Sequence, residues 1–166
     1  MIVIAYDGSD DAKSAIEHAA SLMAGEPAVV VTVWEPYTNM LTRYPAPGAL
    51  LAAENVEDID DAGRAAADER AEEGAAVARA HGLTASSRAV AREDSIAETL
   101  LAEADRTHAS ALVIGSRGLG GLGSLLLGSV SHAVIQHADR PVVIVPSAKV
   151  ARKRHDRRSA LDESTV

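Results

Sequence analysis

The stretch Met1-Ile-Val-Ile-Ala-Tyr6 is rich in β-branched residues and is followed by the turn cluster Asp7-Gly8-Ser9-Asp10. This pattern predicts a strand, a turn and a helix whose N-cap is Asp10. Apolar residues then recur at helical spacing over residues 12–23. The next run, Ala28-Val-Val-Val-Thr-Val-Trp34, is nearly all apolar, which is typical of a parallel strand covered by helices on both faces. The sequence therefore begins with a β-α-β unit.

The same alternation of strand and helix patterns continues towards the end of the chain. The later segments predict strands over residues 83–91, 110–114 and 141–145, and helices over residues 49–81, 95–106 and 129–138. Gly63 and Gly74 are predicted to interrupt the first of these helices. Five strands alternating with four helices predict a doubly wound parallel sheet with helices on both faces and right-handed crossovers.

The connection over residues 35–48 breaks this alternation. It contains three of the six prolines of the chain, which predicts a long irregular loop and a candidate lid. An acidic run follows it and is expected to form the solvated face of a helix; its members are Glu54, Glu57, Asp58, Asp60 and Asp61.

Length and composition predict one globular domain followed by a charged tail. The chain has 166 residues, of which 47% are hydrophobic, and this suits a single core over residues 1–147. The tail, residues 148–166, carries six of the sixteen basic residues and few apolar ones, so we expect it to be disordered. A role of the tail in docking to an anionic partner is the alternative.

Charge and residue types exclude several classes of function. The net charge of −8 repels a phosphate backbone, and only 2% of the residues are aromatic, so nucleic acid is not an expected partner. The absence of cysteine excludes disulfides and thiol nucleophiles. No apolar run is long enough to span a bilayer, and the first residues lack a basic leader region. We therefore expect no membrane partner and a cytoplasmic location.

A glycine-rich segment follows the fourth predicted strand. Half of the twelve glycines fall between residues 115 and 128, and such a loop between a strand and a helix is able to cradle an anion. The Walker pattern is absent. The segment Gly118–Gly123 fits the dinucleotide pattern G-x-G-x-x-G, but it follows the fourth strand rather than the first, and no acidic residue ends the next strand. Dinucleotide binding is therefore disfavoured.

The spacing of the remaining motif carries a family resemblance. Gly115-Ser-Arg-Gly118 is followed after nine residues by Gly128-Ser-Val-Ser131, and Asp7 ends the first strand. With the closing segment Arg140–Val145, the chain resembles the ATP-binding branch of the universal stress protein family over residues 1–146. The resemblance implies a Rossmann-like sheet of order 3-2-1-4-5 that binds an adenine nucleotide between strands 1 and 4, at the topological switch point.

The resemblance implies a set of nucleotide-binding positions. Adenosine contacts are expected from Ala5 and Val33, phosphate and ribose contacts from Gly115, Ser116, Arg117 and Gly118, and further phosphate contacts from Gly128, Ser129, Val130 and Ser131. The hydroxyls of the two serines in the last group, and the helix N-terminus they occupy, suit an anion. Asp7 has two interpretations, as a contact to the nucleotide or its divalent metal, or as a turn former.

The resemblance implies an ATP-binding, nucleotide-dependent regulator or switch of a stress response. ATP is the expected ligand, with ADP and AMP as alternatives, and Mg²⁺ or Mn²⁺ held through the phosphates. No catalytic residue is identified, because the six histidines form no ligand motif and no nucleophile elbow occurs. We therefore expect at most slow ATP hydrolysis. A ligand-free homodimeric interaction module and a nucleotide-dependent enzyme using the same pocket are the alternatives.

The resemblance also implies a homodimer that pairs through the last strand, Val142–Val145, with a regulatory protein partner that the sequence does not identify. An apolar edge strand needs such a cover. One substitution follows from the predicted site. Gly115→Asp is expected to abolish ATP binding while leaving the fold intact.

Overall fold

The computed structural model describes residues 1–43, 56–119, 127–153 and 155. Strands and helices alternate along the chain, as the sequence predicts. In chain order the elements are β1 (Ile2–Ala5), α1 (Asp10–Leu22), β2 (Pro27–Trp34), α2 (Tyr37–Arg43), α3 (Val56–Ala80), β3 (Thr84–Ala91), α4 (Ile96–Arg106), β4 (Ala111–Gly115), α5 (Ser129–His137) and β5 (Val142–Val145).

The five strands form one parallel sheet of order β3-β2-β1-β4-β5. The predicted fold class and strand order are confirmed. In the centre of the sheet, Ile4 pairs with Val30 of β2 on one side and with Val113 of β4 on the other. The chain winds in opposite directions from β1. The connections that follow the carboxyl ends of β1 and β4 therefore separate, and a crevice forms between them.

The core has two layers because successive strand residues point to opposite faces of the sheet. On one face, Ile4 and Tyr6 pack with residues of α1 and α3. On the other face, Val3 and Ala5 pack with residues of α4 and α5. Aliphatic side chains dominate both layers: apart from Tyr6, the buried apolar residues of the described chain are all Ala, Val, Ile or Leu. The site described below opens on the second face.

The connection after β2 is more regular than the sequence predicts. It contains the helix α2, whose last residue, Arg43, donates hydrogen bonds to the carbonyls of Glu93 and Asp94. Asn39 donates from its side-chain amide to the carbonyl of Arg92 at 2.8 Å. These side-chain bonds to the loop before α4 fix a short helix that periodicity does not reveal. The rest of the candidate lid, residues 44–48, lies outside the described residues.

The helix α3 runs without a break through both of its glycines, so the predicted interruptions are wrong. A Cβ atom at Gly74 would lie 2.8 Å from the ring of Tyr6 and from a methyl group of Val30. Gly63 faces the ring of Trp34. Gly74 therefore lets the helix lie close to the sheet, and the packing gained there outweighs its poor helix propensity.

The N-cap of α1 is Ser9 rather than Asp10. The Ser9 side chain accepts a hydrogen bond from the N–H of Ala12, and Asp10 and Asp11 occupy the first turn. Acidic residues are favourable there because the helix dipole is positive at this end.

The beginning of the predicted disordered tail is ordered. Residues 148–153 are helical, with the N–H of Ala151 donating to the carbonyl of Ser147. Val150 of this segment is buried. The remainder of the tail, apart from residue 155, lies outside the described residues. Among the described residues, none of the helices combines the length and apolarity that crossing a bilayer requires.

Candidate functional site

A cavity of about 560 Å³ lies at the carboxyl ends of β1, β2 and β4. Its walls come from these strand ends, from the start of α4, and from the segments on either side of the glycine-rich connection. This is the crevice that the strand order creates, and ligands of doubly wound sheets bind at such a place. The cavity combines an apolar part with a polar part.

The apolar part is built by two layers of aliphatic side chains. The strands contribute residues that point to the second face of the sheet, and the first turns of α4 cover them. The residues are Ala5, Val31, Val33, Ile96, Leu100 and Ile114. These side chains offer no hydrogen-bonding atoms, so they suit a ligand group that contacts them through an apolar face.

The polar part is built around the N-terminus of α5. Gly128 is the N-cap and has no side chain that accepts from the helix, and the first helical hydrogen bond runs from the N–H of His132 to the Gly128 carbonyl. The N–H groups of Ser129, Val130 and Ser131 therefore have no acceptor within the helix. With the positive end of the helix dipole, they favour an anionic group.

Asp7 links the end of β1 to the glycine-rich connection. One of its carboxylate oxygens, Oδ1, accepts from the N–H of Ser9 at 2.9 Å, and the other, Oδ2, accepts from the N–H of Leu119 at 3.2 Å. A Cβ atom at Gly118 would lie 2.5 Å from Oδ2. Both interpretations of Asp7 are compatible with this geometry, because the residue shapes the turn and also lines the cavity.

Ser116 is the one predicted site residue that does not line the cavity. It is fully buried, and its hydroxyl donates to Oδ2 of Asp11 at 2.7 Å. Its N–H donates to the carbonyl of Val145, and its carbonyl accepts from the N–H of Gly128. Ser116 therefore holds the connection in place instead of facing a ligand.

Ser131 lines the cavity, but its hydroxyl is also engaged within the protein. It is buried and donates to the carbonyl of Gly115 at 2.8 Å. The N–H groups of Ser129, Val130 and Ser131 remain the hydrogen-bond donors at this helix end. The other hydroxyl predicted to contact the phosphates belongs to Ser129, whose side chain is exposed.

Gly115 has a packing role that the spacing of the motif conceals. A Cβ atom there would lie 2.8 Å from the carbonyl carbon of Asp11 and 3.0 Å from the nitrogen of Ala12. These are backbone atoms of α1, which have no room to move in a packed interior. In contrast to the expectation that Gly115→Asp leaves the fold intact, we therefore expect this substitution to strain the packing of α1 against β4.

Ten of the eleven predicted positions line this single cavity. They are Ala5, Asp7, Val33, Gly115, Arg117, Gly118, Gly128, Ser129, Val130 and Ser131. The sequence did not single out a further eight lining residues, Tyr6, Ala12, Val31, Ile96, Leu100, Ile114, Leu119 and Leu127. The alternation of side chains along a strand places Val31 and Ile114 on the same face as Ala5 and was the available signal.

Part of the glycine-rich connection lies outside the described residues. This concerns residues 120–126, and with them the glycines at 120, 121 and 123 and most of the G-x-G-x-x-G segment.

The described residues contain no group of three or more Asp, Glu or His side chains arranged to hold a metal ion. Asp7 supplies the one carboxylate among the described lining residues, and carboxylate oxygens suit Mg²⁺ and Mn²⁺.

Tyr6 anchors the end of β1 directly before Asp7. Its side chain is buried, and its hydroxyl donates to Oε1 of Glu73 on α3 at 2.9 Å. Burial, and next the hydrogen bond to Glu73, raises the pKa of the Tyr6 phenol well above its ordinary value. The phenol is therefore uncharged at neutral pH. Its hydrogen bond to Glu73 of α3 fixes the strand end that precedes Asp7.

Fold and cavity together define a doubly wound α/β domain with a cavity at its topological switch point. The profile of the universal stress protein family matches residues 1–146. The chain belongs to the universal stress protein family. A relative described as the universal stress protein in the QAH/OAS sulfhydrylase 3′ region of Thermus aquaticus is 36% identical over 152 residues, which cover 87% of this chain and 96% of the relative.

A second relative, a universal stress protein of Mycolicibacterium smegmatis, is 31% identical over 146 residues. The match covers 87% of this chain but 47% of that relative, so the chain spans about half of its length.

Solved structures share the fold. A universal stress protein of Archaeoglobus fulgidus in complex with dAMP has a TM-score of 0.56 and 24% identity, covering 87% of this chain and 95% of that one. A universal stress protein in complex with cAMP has a TM-score of 0.59 and 23% identity, and the match covers 89% of this chain and 96% of that one. A family member from Arabidopsis thaliana with AMP bound has a TM-score of 0.57 and 18% identity, covering 87% and 90%.

Proposed function

We propose that this protein binds an adenine nucleotide, ATP foremost, in the cavity at the carboxyl ends of β1, β2 and β4. The observation that carries the proposal is the division of one cavity of about 560 Å³ into an apolar part and an anion-favouring helix end. An adenine nucleotide is divided in the same way, because its base presents apolar faces at one end of the molecule and its phosphate carries negative charge at the other. The complexes of related folds with AMP, dAMP and cAMP support this choice of ligand.

The chemistry of the lining assigns the two ends of the nucleotide. Ala5 and Val33 lie in the apolar part and contact the adenosine. Gly118, Arg117 and the N–H groups at the start of α5 contact the phosphates, and a guanidinium is a strong phosphate partner. Because the hydroxyl of Ser116 is committed to Asp11, this residue acts behind the site rather than in it.

A divalent cation is proposed to accompany a di- or triphosphate. It would be held by the phosphates and by Asp7, whose carboxylate carries a negative charge into the anion-favouring part of the cavity. The cation offsets the repulsion between the phosphates and this carboxylate. The metal supplies charge neutralisation, and the protein supplies orientation.

We propose a nucleotide-dependent switch rather than an efficient ATPase. Among the described lining residues, none is a histidine, and the carboxylate of Asp7 is engaged by two backbone N–H groups. A bound nucleotide would then persist and set the shape of the surface around the cavity. Any hydrolysis is slow by this account.

The experiment that tests the proposal is the identification of the bound ligand. Freshly purified protein is denatured, and the released small molecules are identified by chromatography and mass spectrometry. ATP or ADP near one equivalent per chain is expected. Protein that carries no nucleotide, and that gives no calorimetric signal with ATP and Mg²⁺, would contradict the proposal and favour an interaction module without a ligand.

We also propose that two copies pair through β5. Val142, Val143 and Ile144 are only partly buried on this edge strand, and Ile135 on the neighbouring helix is 50% exposed. An apolar edge strand of this kind is stabilised by a partner. Light scattering at micromolar concentration is expected to give the mass of a dimer, and a monomer would reject the pairing.

A further inference from the structure

Ser116 connects three elements around the cavity. Its N–H donates to the carbonyl of Val145 at 2.7 Å, its carbonyl accepts from the N–H of Gly128 at 2.8 Å, and its hydroxyl donates to Asp11 at 2.7 Å. The first two bonds use backbone atoms and are available to any residue at this position. The third depends on the side chain, and it is the one that reaches α1.

Asp11 is a buried carboxylate that the family motif does not contain. Only 7% of its surface is exposed, although it lies in the first turn of α1, where an acidic residue would ordinarily face water. It lies directly behind the glycine-rich segment, since its Cβ would be 2.9 Å from a Cβ at Gly115. Burial of a carboxylate is costly unless it is hydrogen-bonded, and the Ser116 hydroxyl supplies such a bond.

We propose that Asp11 is a positioning residue that fixes the segment Gly115–Gly118 for the phosphates of the nucleotide. This inference rests on the proposed nucleotide binding and adds a residue outside the cavity to it. Asp11 does not line the cavity, so it acts through Ser116. The two residues on either side of Ser116 do line it, and a shift of Ser116 moves both.

The benefit of the bond is that the segment is ordered before the ligand arrives. A segment that is free to move must be immobilised by the ligand, and this cost weakens binding. The apparent affinity also falls in proportion to the population of the competent conformation. The bond between Asp11 and Ser116 removes this cost for the phosphate end, while the aliphatic walls around Val33 are independent of it.

The test compares ligands with and without phosphates. Ser116→Ala and Asp11→Ala are each expected to lower the affinity for ATP with Mg²⁺ about tenfold in calorimetric titrations. Both are expected to leave the affinity for adenosine within about twofold of the original. The double variant is expected to lose about tenfold as well, because both substitutions remove the same bond.

Two control variants separate positioning from general damage. Asp11→Asn keeps an oxygen that accepts from Ser116 and is expected to retain ATP affinity. Thr107→Val removes a hydroxyl bond of similar length, to the Glu103 carbonyl at the far end of α4, and is expected to change neither affinity. Melting curves verify that each variant is folded.

The outcomes that overturn the inference differ from those that overturn nucleotide binding. Unchanged ATP affinity in folded Ser116→Ala protein, an equal loss of adenosine affinity, or a double variant that loses about a hundredfold would each refute the role of Asp11. Original protein that binds neither adenosine nor ATP would refute the proposed function and the positioning role together.

Discussion

Gly115 and Gly118 belong to the same four-residue motif and yet meet different surroundings. A Cβ atom at Gly115 would press on backbone atoms of α1 at 2.8 and 3.0 Å. A Cβ atom at Gly118 would meet the carboxylate of Asp7 at 2.5 Å, which is the end of a side chain. Backbone of a packed helix resists displacement, whereas a carboxylate at a cavity edge is able to turn aside.

The comparison teaches that one glycine motif serves both the fold and the ligand. Gly115 ends β4 inside the core and lets α1 approach it. Gly118 lies three residues later at the cavity, where the absence of a side chain leaves room beside Asp7. A substitution at Gly115 should therefore affect stability most strongly, whereas one at Gly118 should affect binding with little loss of stability.

The largest effect is expected at the first of these glycines. Gly115→Ala is predicted to lower the free energy of unfolding by about 3 kcal/mol, because the added methyl group overpacks against the backbone of Asp11 and Ala12. Urea denaturation measures this loss. A change below about 0.5 kcal/mol, the range of an ordinary surface substitution, would show that the contact does not constrain the fold.

A glycine outside the motif, Gly74, also packs tightly against the core. Gly74→Ala is predicted to destabilise the protein by about 2 kcal/mol, because a Cβ there would lie 2.8 Å from Tyr6 and Val30 in the core. Gly63 is the matched control on the same helix. A Cβ at Gly63 would lie 3.5 Å from Trp34, an ordinary contact, so Gly63→Ala is expected to stabilise the helix by up to about 1 kcal/mol. Urea denaturation giving equal effects for the two variants would contradict the packing role.

The next effect concerns binding. Gly118→Ala is predicted to lower the affinity for ATP with Mg²⁺ about tenfold, or about 1.4 kcal/mol, because the methyl group displaces the Asp7 carboxylate. The free energy of unfolding is expected to change by less than about 1 kcal/mol. Calorimetry and urea denaturation measure the two quantities on the same protein. A loss of stability without a loss of affinity would reverse the roles assigned to the two glycines.

The smallest effect concerns the anchor of β1. Tyr6→Phe removes the hydrogen bond to Glu73 and is predicted to cost about 1 kcal/mol at pH 8. The pKa of Tyr6 is higher in the folded protein than its value of 10.0 in the unfolded chain, so the stability it contributes is present below pH 10 and declines as the pH rises above 10. Urea denaturation at pH 8 and at pH 10.5 should show a smaller difference between the two proteins at the higher pH. An unchanged difference would contradict the pKa shift.

The sequence predicts those features that local patterns determine. Buried parallel strands such as β2 are continuous apolar runs in the sequence. The glycine motif from Gly115 to Gly128 predicts a binding site at the carboxyl ends of the strands, where the cavity lies. Strand order followed from the family resemblance and is confirmed. Helix α2 was missed because bonds from Arg43 and Asn39 to a distant loop stabilise it, and no local pattern records them.

Two differences between the predictions and the structure have a common physical cause. Ser116 was predicted to contact the ligand and instead contacts Asp11, which is 105 positions away in the sequence. Gly74 was predicted to break a helix, and it allows the helix to contact Tyr6. Each of these outcomes depends on a partner that only the folded chain brings near.

The most direct test of the central claim is a two-dimensional amide NMR titration of the assigned protein with ATP and Mg²⁺, and separately with adenosine. With ATP, large shifts are expected for the amides of Gly118 and Ser129–Ser131. With adenosine, shifts are expected for residues around Val33 and Ile96, while the N-terminus of α5 is little affected. Shifts that cluster instead at the opposite edge of the sheet, around Asp105 and Arg140, or no shifts at millimolar nucleotide, would refute nucleotide binding in this cavity.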